Sequence, residues 1–337
     1  MVRLGVRGRL GLALLLALVA CGGCVIVYIP GFGFAKEPLQ EIVVEKCPKR
    51  FTFDKVLLLD LDGIITGERE SAFLSLTENT VASVKEKLER AKQDPLVAAV
   101  VLRINSPGGT VTASDIIYNE ILEFKKNAKK PVVACLMDVA ASGGYYVACA
   151  ADRIVAHPTG VTGSIGVMME LISIEGLFQK IGVSAMAIKS GDKKDMGSPF
   201  RKLSAEEQAI FQATIDSMYN RFVDVVAEGR PKLSRDQIKK LADGRIYTAP
   251  DAEKNGLVDK VGQLSEAIEL AKQGANVTKA HVIMYTRPAA TGQQGNIYTT
   301  KTPSSAGATN INLINVNFDE FRKRTGPVFM YLWAPGT

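Results

Sequence analysis

The stretch VVACLMDVAASGGYY, residues 132–146, passes from a continuous apolar run into a cluster of small residues around the hydroxyl of Ser142. The run from Val132 to Val139 is typical of a strand that is buried on both faces, as in a parallel sheet. The two glycines after the serine allow a tight turn before the next helix begins. The stretch therefore predicts a strand, a turn and a helix, with Ser142 at the end of the strand where ligands of α/β sheets bind.

Strand and helix patterns alternate on both sides of this unit. Apolar runs predict strands at residues 56–60, 97–104 and 131–139, and helical spacing predicts helices near residues 81–91 and 117–124. Ser204 opens a capping box that predicts a helix to about residue 228, and shorter helices follow near residues 235–241, 249–255 and 264–271. Such alternation predicts an α/β fold in which helices cover a parallel sheet.

Composition narrows the function classes. The chain has 337 residues, of which 47% are hydrophobic, so it is long enough to bury a sizeable core. Its formal net charge is +6, and Arg3, Arg7 and Arg9 supply half of that. The remaining charge is too small and too dispersed to indicate a nucleic-acid partner. The five cysteines form no disulfide or metal pattern, and those in apolar runs are predicted to be buried free thiols.

The N-terminus predicts a membrane attachment. Residues 10–29 carry no charge and follow the three arginines, and about 20 such residues span a bilayer. The flanking charge predicts an N-in orientation, with the rest of the chain outside the cytoplasm. The run LVAC at residues 18–21 also fits a bacterial lipobox, in which cleavage would leave a lipidated Cys21. Residues 1–34 are therefore interpreted as an anchor or a lipoprotein signal, followed by a stalk over residues 35–52.

A second loop belongs with the serine turn. Residues 103–109, RINSPGG, follow a predicted strand, and Gly108 and Gly109 let backbone N–H groups approach a ligand closely. The alternative is an ordinary turn, for which Asn, Pro and Gly are well suited. If the loop is functional, one of its N–H groups and that of Gly143 would form an oxyanion hole, in which each donor contributes about 3 kcal/mol.

A serine nucleophile needs a base, and the residues alone leave its identity open. His157 and His281, the two histidines, stand in no orienting motif and are interpreted as structural. Three lysines lie in the glycine-punctuated stretch 189–200, and a buried lysine has a pKa low enough to serve as a base. Ser164 in the run TGSIGV is either a turn serine or a group that holds a neutral amine.

Several motifs occur in an order that carries a family resemblance. They are NSPGG at 105–109, AASGGYY at 140–146, TGSIGV at 162–167, KDMGSPF at 194–200, ADGRIYT at 242–248 and NGLVD at 255–259. Together they resemble the signal peptide peptidase A (SppA) family of membrane-bound serine peptidases, short form, over about residues 53–275. The resemblance implies a ClpP/crotonase-like fold with stacked parallel sheets and crossover helices.

The resemblance also implies a set of site residues. Ser142 would be the nucleophile and Lys194 the general base, with Ser164 orienting that lysine. Gly108 or Gly109 would complete the oxyanion hole with Gly143. Lys193 stands where the family pattern has an aromatic residue, which leaves open which of the two neighbouring lysines points inward.

The implied function is an endopeptidase at the outer face of the bacterial cytoplasmic membrane, which degrades remnant signal peptides and similar unfolded segments. Family members assemble into ring-like homo-oligomers, in which the lysine can come from an adjacent subunit. The expected partners are peptides, membrane lipid and further copies of the chain, and no metal or other cofactor is required. Apolar residues around the serine turn predict small or apolar substrate side chains, and a lysine base predicts activity that rises toward alkaline pH.

Residues 53–275 are thus interpreted as the protease domain and residues 276–337 as a C-terminal extension. The stretch 289–310 is rich in Thr, Ser, Gly, Asn and Gln and is predicted to be mobile. The apolar end, residues 327–333, is predicted to pack on the body of the protein or on a neighbour.

Three rival functions share parts of the pattern. A crotonase-like acyl-CoA enzyme would use the same backbone oxyanion hole but would not need Ser142. A haloacid-dehalogenase-like phosphatase is suggested by the run LLDLDG at 58–63, although Ile64 departs from that family's pattern. A non-catalytic membrane scaffold is the third.

Overall fold

A computed structural model describes residues 38–48, 52–67, 71–72, 75–76, 79–287, 297 and 328–333. The predicted anchor at residues 1–34 lies outside the described residues, as does the predicted mobile segment 289–310 apart from residue 297. In the part that is described, no helix combines the length and the apolar character needed to cross a bilayer.

The described strands are β1 (Gln40–Glu45), β2 (Lys55–Asp62), β3 (Ser71–Ala72), β4 (Ser75–Leu76), β5 (Val97–Ser106), β6 (Gly108–Thr110), β7 (Val132–Ala141), β8 (Arg153–Ala156), β9 (Val161–Gly163), β10 (Met168–Met169), β11 (Ile246–Thr248), β12 (Lys260–Val261), β13 (His281–Thr286) and β14 (Phe329–Leu332). The described helices are α1 (Thr80–Gln93), α2 (Val111–Ala128), α3 (Gly143–Ala148), α4 (Glu175–Lys180), α5 (Ala205–Gly229), α6 (Arg235–Leu241), α7 (Ala249–Lys254) and α8 (Leu264–Gly274).

The main sheet has the strand order β1-β13-β2-β5-β7-β8-β12, with β9 and β11 branching from the end of β7. Its central strands β2, β5, β7 and β8 are parallel, as the alternating pattern predicted. Helices cover both faces. Residues of α1, α2, α3 and α5 share one core cluster, and those of α8 pack on the other face. Burial on both faces explains why β5 and β7 are apolar runs without alternation.

The predicted helices are confirmed with small shifts at their ends. Ser204 caps α5 as predicted. Its hydroxyl accepts the N–H of Glu207 at 3.2 Å, and the Glu207 carboxylate accepts the N–H of Ser204 at 2.9 Å.

The sheet extends past both ends of the predicted protease domain, residues 53–275. Strand β1 lies in the predicted stalk and pairs antiparallel with β13, which lies beyond residue 275. Strand β13 in turn pairs with β2 at the edge of the parallel core. Strands β1 and β13, one from each flanking segment, therefore belong to the main sheet.

The smaller sheet differs from the predicted stacking of parallel sheets. Strands β6, β14 and β10 form a three-stranded sheet, and both of its pairings are antiparallel. The middle strand, β14, comes from the apolar end of the chain, which was expected to pack on the body or on a neighbour. That packing is confirmed, and it explains the correction, because a returning strand can run in the opposite direction to β6.

Candidate active site

Ser142 occupies a strained turn between β7 and α3. Its backbone has φ 53° and ψ −116°, a region that residues with a Cβ rarely adopt. Its N–H donates to the Gly163 carbonyl at 2.7 Å, and its carbonyl accepts the N–H of Tyr146 at 2.9 Å. The side chain is 1% exposed. The surrounding hydrogen bonds therefore hold the hydroxyl at the N-terminus of a helix, where the first backbone N–H groups have no partner within the helix.

The loop with Gly108 lies against this turn, as the sequence predicted. A Cβ on Gly108 would lie 2.6 Å from the backbone nitrogen of Gly143, and its φ of +103° also requires glycine. The N–H of Gly108 donates to the Ser106 hydroxyl at 3.1 Å, and that hydroxyl donates to the Gly63 carbonyl at 2.6 Å. Since the N–H of Gly108 is engaged, Gly109 is the better candidate for a second oxyanion donor.

Ser164 reaches the same region through β9. The parallel pairing of β7 and β9 sets Ala141 opposite Gly163, so Ser142 and Ser164 are the next residues along two neighbouring strands. Ser164 has φ 49°, is 7% exposed, and donates its N–H to the Arg245 carbonyl at 2.8 Å. The structure therefore brings Ser142, Ser164 and the glycines together.

The lysines do not join this cluster. Lys194 is exposed, and no hydrogen bond links its side chain to Ser142 or Ser164. Its neighbour Lys193 forms an ion pair with Glu206 at 2.5 Å, and that hydrogen bond raises the pKa of Lys193 above its ordinary value. A lysine held in its charged form is a poor base, so the pairing favours Lys194 over Lys193.

An ion-pair network fixes the loop that carries Lys194. The Arg201 guanidinium binds Asp195 at 2.7 Å and Glu207 at 2.6 Å, and Lys189 binds Asp195 at 2.6 Å. Hydrogen bonds from Arg201 and Lys189 hold the pKa of Asp195 well below its usual range, and Arg201 lowers that of Glu207 to about 2. The carboxylates stay charged at neutral pH, which ties the loop to the start of α5.

A buried aromatic cluster lies beside the serine turn, and the sequence did not predict it. The rings of Tyr146 and Phe222 are 4.9 Å apart, and Tyr331 of β14 lies at 5.0 Å and 4.7 Å from them. The hydroxyl of Tyr146 donates to the Asp115 carboxylate at 2.5 Å. One sequence pattern could have predicted the contribution of β14. Phe329 and Tyr331 stand two residues apart in the apolar stretch 327–333, and this spacing is typical of a strand with one buried face.

The structure gives the other candidate groups structural roles. Arg103 and Asp60 form a buried ion pair at 2.8 Å, so the aspartate that suggested a phosphatase is already occupied. Burial, with Asp60 adding to it, raises the pKa of Asp62 to about 6. His281 accepts the N–H of Cys47 at 3.1 Å, and His157 bonds to a threonine of its own loop. Among the described residues, no cluster of acidic, histidine and cysteine side chains is arranged to hold a metal ion.

The described cysteines agree with the predicted free thiols. Cys135 and Cys149 are buried and unpaired with each other, and Cys47 is partly exposed. Burial raises the pKa of both buried thiols to about 12, which keeps them protonated and unreactive at neutral pH.

Two family models match the chain. The model for peptidase family S49 matches residues 124–278, and the Clp protease model matches residues 72–159. Both ranges include the serine turn. The Clp protease match agrees with the observed sheet and crossover helices.

Individual relatives extend the match. An Enterococcus faecium protein named "Putative signal peptide peptidase SppA" is 38% identical over 246 residues, which are 73% of this chain and 71% of that protein. Protease 4 of Haemophilus influenzae is 38% identical over 66% of this chain and 35% of its own length. "Serine protease SPPA, chloroplastic" of Arabidopsis thaliana is 39% identical over 60% of this chain and 30% of its own length.

These matches cover most of the shorter relative and about a third of the longer ones. Both family models include the strand, turn and helix around Ser142, and the Clp protease model also includes the glycine loop that the structure places beside it. This chain therefore belongs to peptidase family S49, the family of the SppA serine peptidases.

Proposed function

We propose that this protein is a membrane-bound endopeptidase that degrades remnant signal peptides and similar unfolded segments, with Ser142 as nucleophile and Lys194 as general base. The observation that carries the proposal is the strained Ser142 at the start of α3, packed against Gly108. Strain of this kind persists only where the surroundings enforce it, and it concentrates at functional sites. The name of the Enterococcus relative supports the substrate class.

The reaction is an acyl transfer through a covalent intermediate. A neutral Lys194 takes the proton of the Ser142 hydroxyl while its oxygen attacks the scissile carbonyl. The N–H groups of Gly143 and Gly109 stabilise the negative oxygen of the tetrahedral intermediate, each by about 3 kcal/mol. When the C–N bond breaks, the lysine returns the proton to the leaving amine. It then activates a water molecule that hydrolyses the acyl-enzyme.

Lys194 acts, in this proposal, on the serine of a neighbouring subunit in a ring-like homo-oligomer. The support is the separation seen within one chain, where Ser142 is buried and Lys194 stands on an exposed loop. The segment before that loop also exposes apolar side chains, with Met186 90% and Ile188 99% exposed. Exposed apolar side chains clustered in one segment are typical of an interface.

Mixing two inactive variants tests the shared site. Ser142→Ala and Lys194→Met are each expected to be inactive alone. After dissociation and random reassembly, about a quarter of the sites in a heterologous ring would combine an intact serine with an intact lysine from its neighbour. Peptidase activity should therefore reappear in the mixture. A mixture that stays inactive, although mixed oligomers form, contradicts a lysine supplied in trans.

Labelling with a serine-directed peptidyl phosphonate tests the nucleophile. The intact protein is expected to gain one label at Ser142, located by mass spectrometry, and Ser142→Ala to gain none. Neither an acyl-CoA enzyme nor a scaffold needs that hydroxyl. Labelling or peptidase activity that survives the substitution would remove Ser142 from the mechanism.

Membrane attachment is proposed from residues 1–34, with residues beyond the anchor outside the cytoplasm. Mass spectrometry of the mature N-terminus separates the two forms of attachment. An intact N-terminus indicates a spanning helix, whereas a diacylglyceryl group on Cys21 indicates a lipoprotein. A mature chain that lacks both, and is recovered without detergent, would contradict attachment by this segment.

A further inference from the structure

The motif ADGRIYT at residues 242–248 contains β11, a strand that lies one position away from the strand of the nucleophile. Strand β11 pairs antiparallel with β9, so that Tyr247 is opposite Thr162. Strand β9 pairs on its other edge with β7, which leads into Ser142. The proposed reaction assigns no role to this motif, although its strand borders the one that carries Ser164 at its end.

Backbone hydrogen bonds connect the end of β9 to both of its neighbours. The N–H of Ser164 donates to the Arg245 carbonyl at 2.8 Å, on the side of the motif. The carbonyl of Gly163 accepts the N–H of Ser142 at 2.7 Å, on the side of the serine turn. Ser164 is therefore bonded directly to the motif, whereas Ser142 is reached only through Gly163.

The ring of Tyr247 lies directly against Gly163. A Cβ on Gly163 would lie 2.6 Å from the ring atom Cδ2 and 3.2 Å from Cε2, and Gly163 has a φ of +88°. The Tyr247 hydroxyl donates to the carbonyl of Leu241, the last residue of α6, at 2.9 Å. Burial raises the pKa of Tyr247 above its ordinary value, so the hydroxyl keeps the proton that it donates at neutral pH. The ring is thus held by α6 at one end and packs on the residue before Ser164.

Ser164 has a φ of 49°, a left-handed conformation that is costly for a residue with a Cβ and persists only where the surroundings enforce it. We infer that Tyr247 is a positioning residue, which acts through Gly163 to hold Ser164 in the orientation that receives the lysine base. This inference rests on the proposed function, in which Ser164 orients Lys194. Because that lysine is proposed to come from a neighbouring subunit, Ser164 must be held in place by its own chain.

A double-mutant cycle tests whether Tyr247 acts through Ser164. Tyr247→Leu removes the aromatic ring and should lower kcat about tenfold with KM unchanged, because a displaced Ser164 impairs the base and not the binding of the peptide. Ser164→Ala removes the hydroxyl itself and should lower kcat at least as much. In the Ser164→Ala background, Tyr247→Leu should then change kcat by less than about twofold, since a hydroxyl that is absent cannot be displaced.

Two further variants separate positioning from stability. Tyr247→Phe keeps the ring on Gly163 and loses only the bond to the Leu241 carbonyl, so its kcat should stay within about threefold of the intact protein. Tyr219→Leu is the matched control, because Tyr219 is also a partly buried ring packed on the same core. It should lower the unfolding temperature and leave kcat unchanged. Hydrogen exchange of the Ser164 amide, which needs no activity, should be faster in Tyr247→Leu than in Tyr219→Leu.

Three results would overturn the inference. They are an unchanged kcat in Tyr247→Leu, an additive cycle in which that substitution costs the same factor with and without the Ser164 hydroxyl, and equal exchange of the Ser164 amide in the Tyr247 and Tyr219 variants. Each would reject Tyr247 while phosphonate labelling of Ser142 continued to support the peptidase. Absence of labelling in the intact protein would instead reject the nucleophile, and with it any catalytic role for Tyr247.

Discussion

The two halves of the proposed catalytic dyad lie in different surroundings. Ser142 is buried at the junction of β7 and α3, and Gly108 and Ser164 pack around it on other elements of the same body. Lys194 stands on an exposed loop that is fixed by ion pairs. Packing fixes the position of Ser142, whereas ion pairs fix the loop that carries Lys194.

This difference indicates how each half is prepared for catalysis. The proposed oxyanion donors and the Ser142 hydroxyl are positioned within one chain, at the ends of neighbouring strands. The loop that carries Lys194 is fixed by ion pairs but makes no hydrogen bond to Ser142 within one chain, and for this reason the proposal assigns Lys194 to the site of a neighbouring subunit. Variants that affect one half and spare the other measure how far this division extends.

The largest effect is expected from the proposed base. Lys194→Met should lower kcat/KM by about 10³ to 10⁴-fold, since general-base catalysis contributes that much at the upper end. The midpoint of thermal unfolding should not change, because the side chain is exposed and forms no ion pair. Lys193→Met is the matched control and should stay within about threefold of the intact protein in activity. The reverse result, with Lys193 essential and Lys194 dispensable, would exchange their roles.

A smaller effect is expected at the glycine loop. Gly108→Ala places a Cβ against the Gly143 nitrogen and should lower kcat about 10² to 10³-fold by displacing an oxyanion donor. Gly256→Ala is the control, since it shares the positive φ but meets only the end of the Leu233 side chain. If both variants lose activity only in proportion to a fall in their unfolding temperature, backbone strain alone accounts for the effect.

The ion-pair network should have a moderate effect on turnover. Arg201→Met releases Asp195 and Glu207 and should lower kcat about tenfold, because the lysine loop loses its fixed position. Arg201→Lys should recover only part of the loss, since lysine cannot form two parallel bonds to one carboxylate. Arg235→Met, which breaks an exposed pair with Asp224, should leave kcat unchanged. Equal effects at the two arginines would argue against positioning by the network.

The smallest effect concerns pH. Because Arg201 lowers the pKa of Glu207 to about 2, the stability that this pair contributes is complete above the unfolded value near 4.5 and is lost as the pH falls through about 2. The difference in unfolding temperature between the intact protein and Arg201→Met should thus be constant from pH 8 to pH 5 and shrink below pH 4.5. A difference that already falls between pH 8 and pH 6 would assign the stabilisation to another group.

Much of the fold followed from local patterns. Continuous apolar runs predicted β2, β5 and β7, helical spacing predicted α1 and α2, and the capping box at Ser204 predicted α5. These patterns involve residues that are close together in the chain, so they can be recognised without knowledge of the tertiary structure. The edge strand β1 and its neighbour β13 were not predicted, because their pairing joins segments more than 200 residues apart.

The candidate site was predictable in part. The small residues at Ser142 and the glycines at 108 and 109 need particular backbone conformations, and such needs are visible in the residue types. Neither the ion pair of Lys193 with Glu206, which favours Lys194 as the proposed base, nor the aromatic cluster was visible in the sequence. The first joins residues 13 positions apart, and the second joins rings from α3, α5 and β14 that meet only after folding.

The amino-acid sequence by itself determined the parallel α/β core, the serine turn and the membership in a peptidase family, because short contiguous motifs are sufficient to predict each of them. The tertiary structure alone decided that β14 pairs with β6 beside the serine turn and that Lys194 stands apart from Ser142. The physical reason is that strand pairing and ring packing are non-local. The apolar character of residues 327–333 predicts burial. Which strand edge pairs with β14, and which rings pack against it, is decided only in the folded protein.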